Sequence, residues 1–256
     1  VVQSKYSKFS RILLPVVGRI SRWADLCIAN SEAGAAYHVA RGYPRDKMRV
    51  VLNGVDTEHF RPDAAWRSDW RRSHGFSPND KIVGFLGRFD PMKRHDFFVE
   101  VAARIHSSSP DVCFVTCGSI AHEDSERLLT LGRTLGVAER LVILGPTDEP
   151  WGFLNAIDAL AITSFSEGTP NVMLEAQACG TPVASTDVGD VRSIALPEDR
   201  VVGRDDLDGL ARALLDVLGR GRSGVRSPVF QDRFTELIER TEVLLTDLVG
   251  QPATSA

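Results

Sequence analysis

Phe165-Ser166-Glu167-Gly168-Thr169-Pro170-Asn171-Val172-Met173-Leu174-Glu175-Ala176-Gln177-Ala178-Cys179-Gly180-Thr181-Pro182 reads as a strand end, a polar loop and one short helix. Apolar runs of strand length, residues 159–163 and 182–186, flank it, so the helix has the βαβ setting of a parallel sheet. The loop then lies at the carboxyl edge of a strand, where open α/β sheets bind ligands. Thr169 is the expected helix cap, Pro170 suits the first turn, and Gly180 with Pro182 ends the helix. Asn171 and Glu175 fall one turn apart on one face, while Val172, Met173, Ala176 and Cys179 mark the buried side. A helix amino terminus attracts anions, yet two carboxylates, Glu167 and Glu175, flank this one. They suit sugar or ribose hydroxyls better than phosphate.

Working outward, the chain repeats this pattern. Strands are expected at residues 81–86, 112–117, 141–144 and 200–202, with helices near 93–106, 123–135, 151–157, 205–218 and 230–249. Alternating strand and helix units predict a parallel, doubly wound Rossmann-like sheet with right-handed crossovers. Before it, residues 24–30 and 49–52 read as strands around a helix from Ser31 to residue 41. Asn53-Gly54-Val55-Asp56 is a turn signal. The expected organisation is the tail of a first α/β domain over residues 1–60, whose beginning lies outside the chain. A linker at 61–79 with a helical turn or two at Ala64–Ser73 follows. The regular domain spans 80–228, and a last helix and tail span 229–256. The run Gly219-Arg220-Gly221-Arg222-Ser223-Gly224 joins two helices and reads as a solvated loop.

With 256 residues, 43% hydrophobic and 25% charged, the chain can bury one large or two modest cores. A net charge of −4 argues against nucleic acid as partner. The four cysteines, Cys27, Cys113, Cys117 and Cys179, lack metal-type spacing and read as buried, reduced thiols of a cytoplasmic protein. No apolar run approaches the roughly 20 residues of a membrane span. Residues 1–23 carry Lys5, Lys8, Arg11, Arg19 and Arg22 among apolar residues without an acid. Two readings stay open: a peripheral contact with an anionic membrane surface, or a surface helix broken near Pro15 and Gly18.

Gly87-Arg88-Phe89-Asp90-Pro91-Met92-Lys93 places two cations just past a strand, at the edge that also carries the Glu167 loop. A planar guanidinium and a mobile ammonium can together neutralise a pyrophosphate without metal. Paired carboxylates also raise a glycosidase, with one of Glu167 and Glu175 as acid and the other as base or nucleophile. Their position around a helix amino terminus fits that chemistry less well than hydroxyl binding.

Asn53-Gly54-Val55-Asp56, Gly87-Arg88 with Lys93, Glu167-Gly168-Thr169-Pro170-Asn171 with Leu174-Glu175-Ala176, and Cys179-Gly180-Thr181-Pro182-Val183 together resemble the retaining glycosyltransferases of the GT-B fold, family four. The resemblance covers nearly all of residues 24–250. It implies that this is the carboxyl-terminal, donor-binding half of such an enzyme. Such an enzyme moves a sugar from a nucleoside-diphosphate sugar to a sugar, lipid-linked or small-molecule acceptor, with retained anomeric configuration and neither cofactor nor divalent metal. By that resemblance Arg88 and Lys93 take the diphosphate, Glu167 the sugar hydroxyls and Glu175 the ribose. Gly87, Gly168, Thr169, Pro170, Asn171 and Val172 line the donor, with Gly145 and Thr147 near the base. Arg88, Lys93 and Glu167 form the implied catalytic set. The last helix resembles one that crosses back to the first domain, and the acceptor side is implied to come from an amino-terminal domain or partner chain. The sequence departs from the family at Cys117-Gly118-Ser119-Ile120-Ala121, bulkier than the usual glycine-rich turn, and at Asp190, where a second glycine is common. The readings weighed against transfer are a non-catalytic nucleotide-sugar-binding module, and an epimerase or phosphorylase, for which no catalytic histidine or cofactor lysine stands out.

Overall fold

The computed structural model describes residues 8–222 and 233–250. The chain forms two compact units, one holding the chain up to Gly54 together with the last helix, the other beginning at Val55.

In the first unit, β1 (Cys27–Ala29) and β2 (Met48–Val50) pair in parallel, both shorter than their apolar runs suggest. Helix α2 (Glu32–Val39) is capped as expected by Ser31, whose hydroxyl accepts the Gly34 N–H at 3.0 Å. Helix α1 (Lys8–Ile20) is not broken at Pro15 or Gly18. Gly18 is buried against the Arg41 carbonyl, where a Cβ would collide, so packing favours the helical path across it. Leu13, Val16, Val17 and Ile20 are exposed, at helical spacing. Residues 1–7, part of the basic stretch, lie outside the described residues, as do 223–228 at the end of the expected regular domain and 229–232 and 251–256 of the expected last segment. Among the described residues no helix is long and apolar enough to cross a membrane.

The second unit opens with α3 (Ala64–Ser73), capped by Asp63, whose carboxylate accepts the Ala65 and Trp66 N–H groups at 2.9 Å. Six parallel strands follow: β3 (Lys81–Leu86), β4 (Val112–Cys117), β5 (Leu141–Leu144), β6 (Ala159–Ile162), β7 (Val183–Thr186) and β8 (Arg200–Val202). Their spatial order is β5-β4-β3-β6-β7-β8, which reverses direction between β3 and β6. Crossovers from β3 run outward one way and from β6 the other, leaving a crevice at the carboxyl ends of that pair.

Both faces of the sheet are covered, which is why the central strands are continuous apolar runs. The period of two divides them. Val83, Phe85 and Phe114 face α4 (His95–His106), α5 (His122–Thr134) and α9 (Leu207–Arg220), packing on Phe98, Ile105, Leu128 and Leu214. Ile82, Val115 and Leu160 face the other way, onto Phe153 and Leu154 of α6 (Pro150–Ala156) and Met173 and Leu174 of α7 (Asn171–Ala178). A short α8 (Val191–Ile194) joins that layer, and α10 (Arg233–Gly250) belongs to the first unit.

Two arginine-rich stretches differ from their expected character. Arg71 of α3 is buried, donating to the carbonyls of Ala156, Ser77, Pro78 and Asp80 and to Asp158. Arg222, expected in a solvated loop, donates to the carbonyls of Leu154, Ile157 and Cys179 at 2.7–3.1 Å. It satisfies the carboxyl ends of α6 and α7, whose last carbonyls have no partner within the helix. Burial lowers its pKa to about 10, still charged at neutral pH. Of the cysteines, Cys113, Cys117 and Cys179 are buried free thiols and Cys27 is half-buried.

Candidate functional site

The crevice between β3 and β6 is bounded by the loops that follow those strands. The β3 loop is shaped locally by Asp90, whose side chain accepts the Met92 N–H at 2.8 Å and whose carbonyl accepts the Lys93 N–H at 2.9 Å. It is then fastened to the β6 loop: Thr163 donates its hydroxyl to the Lys93 carbonyl at 2.7 Å, and Phe165 its N–H to the Met92 carbonyl at 2.7 Å. Helix α4 starts two residues later than its sequence suggests, because Arg94 takes a left-handed conformation, φ 56° and ψ 57°. For a residue with a side chain that geometry costs roughly 1–3 kcal/mol.

These loops bring Lys93 and Glu167 into contact. Lys93 Nζ donates to Glu167 Oε1 at 2.6 Å, and the Ser164 hydroxyl donates to the same oxygen at 2.6 Å. Their side chains are 26% and 14% exposed, so the pair lies in the crevice wall and is more than a surface ion pair. Glu175, in the second turn of α7, is half-buried; desolvation pushes its carboxyl above the usual glutamate range, and the nearby Lys93 cation opposes that shift. One cation thus stands near two carboxylates. Arg88 does not join them: its side chain is 73% exposed and stands 3.5 Å from Asp90 Oδ2.

Helix α7 begins at Asn171, with Pro170 at the cap position and no side-chain cap. Thr169, the expected cap, is one residue too early and is buried; the Pro170 carbonyl closes the first turn by accepting the Met173 N–H at 3.0 Å. Val172 is half-buried, while Met173, Ala176 and Cys179 are buried as their spacing suggests.

Two glycines let neighbouring loops press on this site. Gly118 has φ 149°, and a Cβ there would strike the Gly87 carbonyl; Gly189 has φ 54°, and a Cβ there would strike the Gly168 carbonyl. Both are positions where only glycine fits without strain. The bulkier turn at Ser119 is accommodated, its carbonyl accepting the Phe89 N–H at 2.7 Å, and the Asp190 N–H donates to the Gly168 carbonyl at 3.0 Å. Behind Gly87, the buried His95 imidazole lies beside Phe85 and Phe89, with ring centroids 4.3 and 4.9 Å away. Burial lowers its pKa to about 4, so it is neutral at physiological pH.

Gly145 and Thr147 lie apart from the ion pair, in the wall of a cavity of about 710 Å³ completed by Cys117, Glu149, Trp66 and Trp70. Gly118 links this cavity to the crevice, donating its N–H to the Gly145 carbonyl at 3.2 Å. The α3 tryptophans, Thr163 and Ser164 escaped sequence reasoning. The only signal for the last two was a pair of hydroxyls directly after an apolar strand. Among the described residues no group of three or more His, Cys, Asp or Glu side chains could hold a metal ion.

The family model described as glycosyl transferases group 1 matches residues 80–220, which contain the whole crevice. The chain belongs to that family. A second model, glycosyltransferase family 4, matches residues 2–59. The chain is 35% identical over 216 residues to a D-inositol 3-phosphate glycosyltransferase of Mycobacterium marinum, covering 79% of this chain and 44% of that protein. It is 34% identical over 176 residues to the Rhodococcus erythropolis protein of the same name, covering 65% and 39%. The chain thus spans less than half the length of these relatives. In fold it is similar to Anabaena HepE in complex with UDP and glucose, with TM-score 0.82, 21% identity, and 95% of this chain and 68% of that one covered. Sucrose-phosphate synthase from Thermosynechococcus elongatus gives TM-score 0.79 at 21% identity, covering 96% and 64%. The α/β, parallel-sheet architecture matches these GT-B neighbours, as the family resemblance implied.

The raised Glu175 pKa has a consequence for stability. Below the unfolded pKa the residue is protonated in both states and contributes nothing. As pH rises through the unfolded and then the folded value, the unfolded chain gives up its proton first, so this group's contribution falls and stays unfavourable above the folded pKa. Glu175→Gln is therefore expected to raise the melting temperature at pH 7.5, with the gain vanishing below the ordinary glutamate range. Scanning calorimetry across pH checks this; an unchanged or lower melting temperature at pH 7.5 contradicts it.

Proposed function

We propose that this chain is the donor-binding half of a retaining hexosyltransferase that moves a sugar from a nucleoside-diphosphate sugar to an acceptor hydroxyl in polysaccharide, glycolipid or glycoconjugate synthesis. The observation that carries this reading is the Glu167–Lys93 contact at 2.6 Å in the switch-point crevice, with half-buried Glu175 near the same ammonium. A diphosphate entering there meets Lys93 directly, and the exposed Arg88 side chain, on the same β3 loop, can swing onto it. Charge that builds on the leaving diphosphate is stabilised by these cations and by the amino terminus of α7, with no metal required. Glu167 and Glu175 accept hydrogen bonds from sugar and ribose hydroxyls, and the cavity beside Gly145 and Thr147 receives the base. Retention of configuration follows the family resemblance, with the acceptor activated by the departing phosphate. The acceptor side comes from a domain or partner outside this crevice.

The test is calorimetric titration of the purified chain with UDP, GDP and ADP, with and without EDTA. UDP is the first choice because HepE was crystallised with it. Binding of one nucleoside diphosphate, unaffected by EDTA and at least tenfold tighter than the free nucleoside, is the expected result. Failure of all three to bind contradicts the proposal. Binding without transfer, once an acceptor-side domain is supplied, would favour a non-catalytic binding subunit.

A further inference from the structure

The loop after β8, at the sheet's edge, reaches back across the carboxyl ends of the strands to both loops of the crevice. Arg94 Nη1 donates to the Arg204 carbonyl at 3.0 Å and to Asp205 Oδ1 at 2.9 Å, and its guanidinium lies 4.0 Å from the centre of the Phe97 ring. The other Asp205 oxygen is 3.6 Å from Arg204 Nε, too long for a hydrogen bond, and that buried nitrogen makes none among the described residues. The Arg204 guanidinium is committed instead to the Phe165 ring, 4.6 Å from its centre. Phe165 in turn donates its N–H to the Met92 carbonyl, and Thr163 bonds the carbonyls of Lys93 and Arg94. The contacts close a ring: Arg94 to residues 204–205, Arg204 to Phe165, and the Phe165 strand end back to Met92, Lys93 and Arg94. Lys93 and Glu167 sit on its two arms.

Arg94 is the one non-glycine residue with a positive φ among the described residues. A glycine would adopt that backbone freely, but it would lack the guanidinium that ties the β3 loop to the β8 loop. The strained arginine thus keeps the clamp at the expense of backbone comfort, directly after the cation that meets the donor.

We infer that Arg94, held by Arg204 and Asp205, is a positioning residue that fixes Lys93 opposite Glu167 in the geometry that receives the diphosphate. The inference rests on the donor-binding reading above. Arg94→Gly relieves the backbone and removes the clamp together with the stacking on Phe97, so its melting temperature should stay within a few degrees of the parent's while affinity for the bound nucleoside diphosphate falls about tenfold. Affinity for the free nucleoside should change less than twofold. Asp205→Asn, at an exposed loop position, should shift the diphosphate affinity in the same direction by threefold or more and serves if Arg94→Gly folds poorly. Arg94→Lys, which keeps a cation, should restore part of the loss.

The decisive comparison is the double variant Arg94→Gly/Lys93→Ala. If Arg94 acts through Lys93, it binds no more weakly than Lys93→Ala alone. Parent-like binding by both Arg94→Gly and Asp205→Asn overturns the inference, as does full additivity in the double variant. If the parent binds no nucleoside diphosphate, the donor reading fails and the inference falls with it, an outcome distinct from failure of the clamp alone.

Discussion

Lys93→Ala is expected to weaken nucleoside-diphosphate binding about a hundredfold, equivalent to about 2.7 kcal/mol. Two losses combine. The phosphate loses a charge-assisted hydrogen bond worth roughly 1.5–3 kcal/mol. Glu167 and Glu175 lose their shared cation and present two carboxylates to an incoming anion; Glu167 keeps only the Ser164 hydroxyl on the oxygen that Lys93 contacted. The free nucleoside carries no phosphate and should lose much less. Calorimetry with both ligands separates the effects: equal losses contradict a phosphate role, and a diphosphate affinity within threefold of the parent's removes Lys93 from the site altogether. Arg88→Ala should give a smaller diphosphate-selective loss, because its exposed side chain must be ordered on binding.

The inner strands of the second unit were legible because they are buried on both faces, and continuous apolar runs such as residues 81–86 and 112–117 leave little ambiguity. Helix starts were less so. Helix α4 begins after a left-handed arginine, a backbone choice stabilised by residues over a hundred positions away, and no local rule anticipates it. Thr169 has the chemistry of a cap, but Pro170 occupies that position and closes the turn with its carbonyl. In the site, Lys93, Glu167 and Glu175 could be singled out from sequence because charge beside a helix amino terminus at a strand's end is conspicuous. That Lys93 meets Glu167 follows from the strand order, in which β3 and β6 are neighbours although β4 and β5 separate them in sequence. The roles of Arg71, Arg94 and Arg222 were hidden for a different reason. An arginine on a polar segment looks solvated unless the carbonyls it will satisfy are already known.

Arg71→Met is expected to destabilise the protein by about 3–5 kcal/mol, the usual effect of removing one partner from a buried ion pair. Arg71 is 2% exposed and its side chain meets four backbone carbonyls and the Asp158 carboxylate. Methionine fills much of the space but donates to none of them, so four carbonyls lose a charge-assisted donor and Asp158 is left with Arg67 and the Ile82 N–H as partners. At about 2–4 °C per kcal/mol for a chain of this size, the melting temperature should fall by roughly 6–20 °C; a fall under 3 °C would show that the cluster is dispensable. Asp158 also accepts the Ile82 N–H at 2.8 Å, so the cluster joins the starts of β3 and β6, the two strands whose far ends carry Lys93 and Glu167. Because it lies at the opposite edge of the sheet, the variant should bind nucleoside diphosphate within about threefold of the parent well below its melting temperature. Lys93→Ala should show the reverse, lost affinity with little lost stability. The two variants together therefore separate the amino edge of the sheet, which holds the fold, from the carboxyl edge, which holds the ligand.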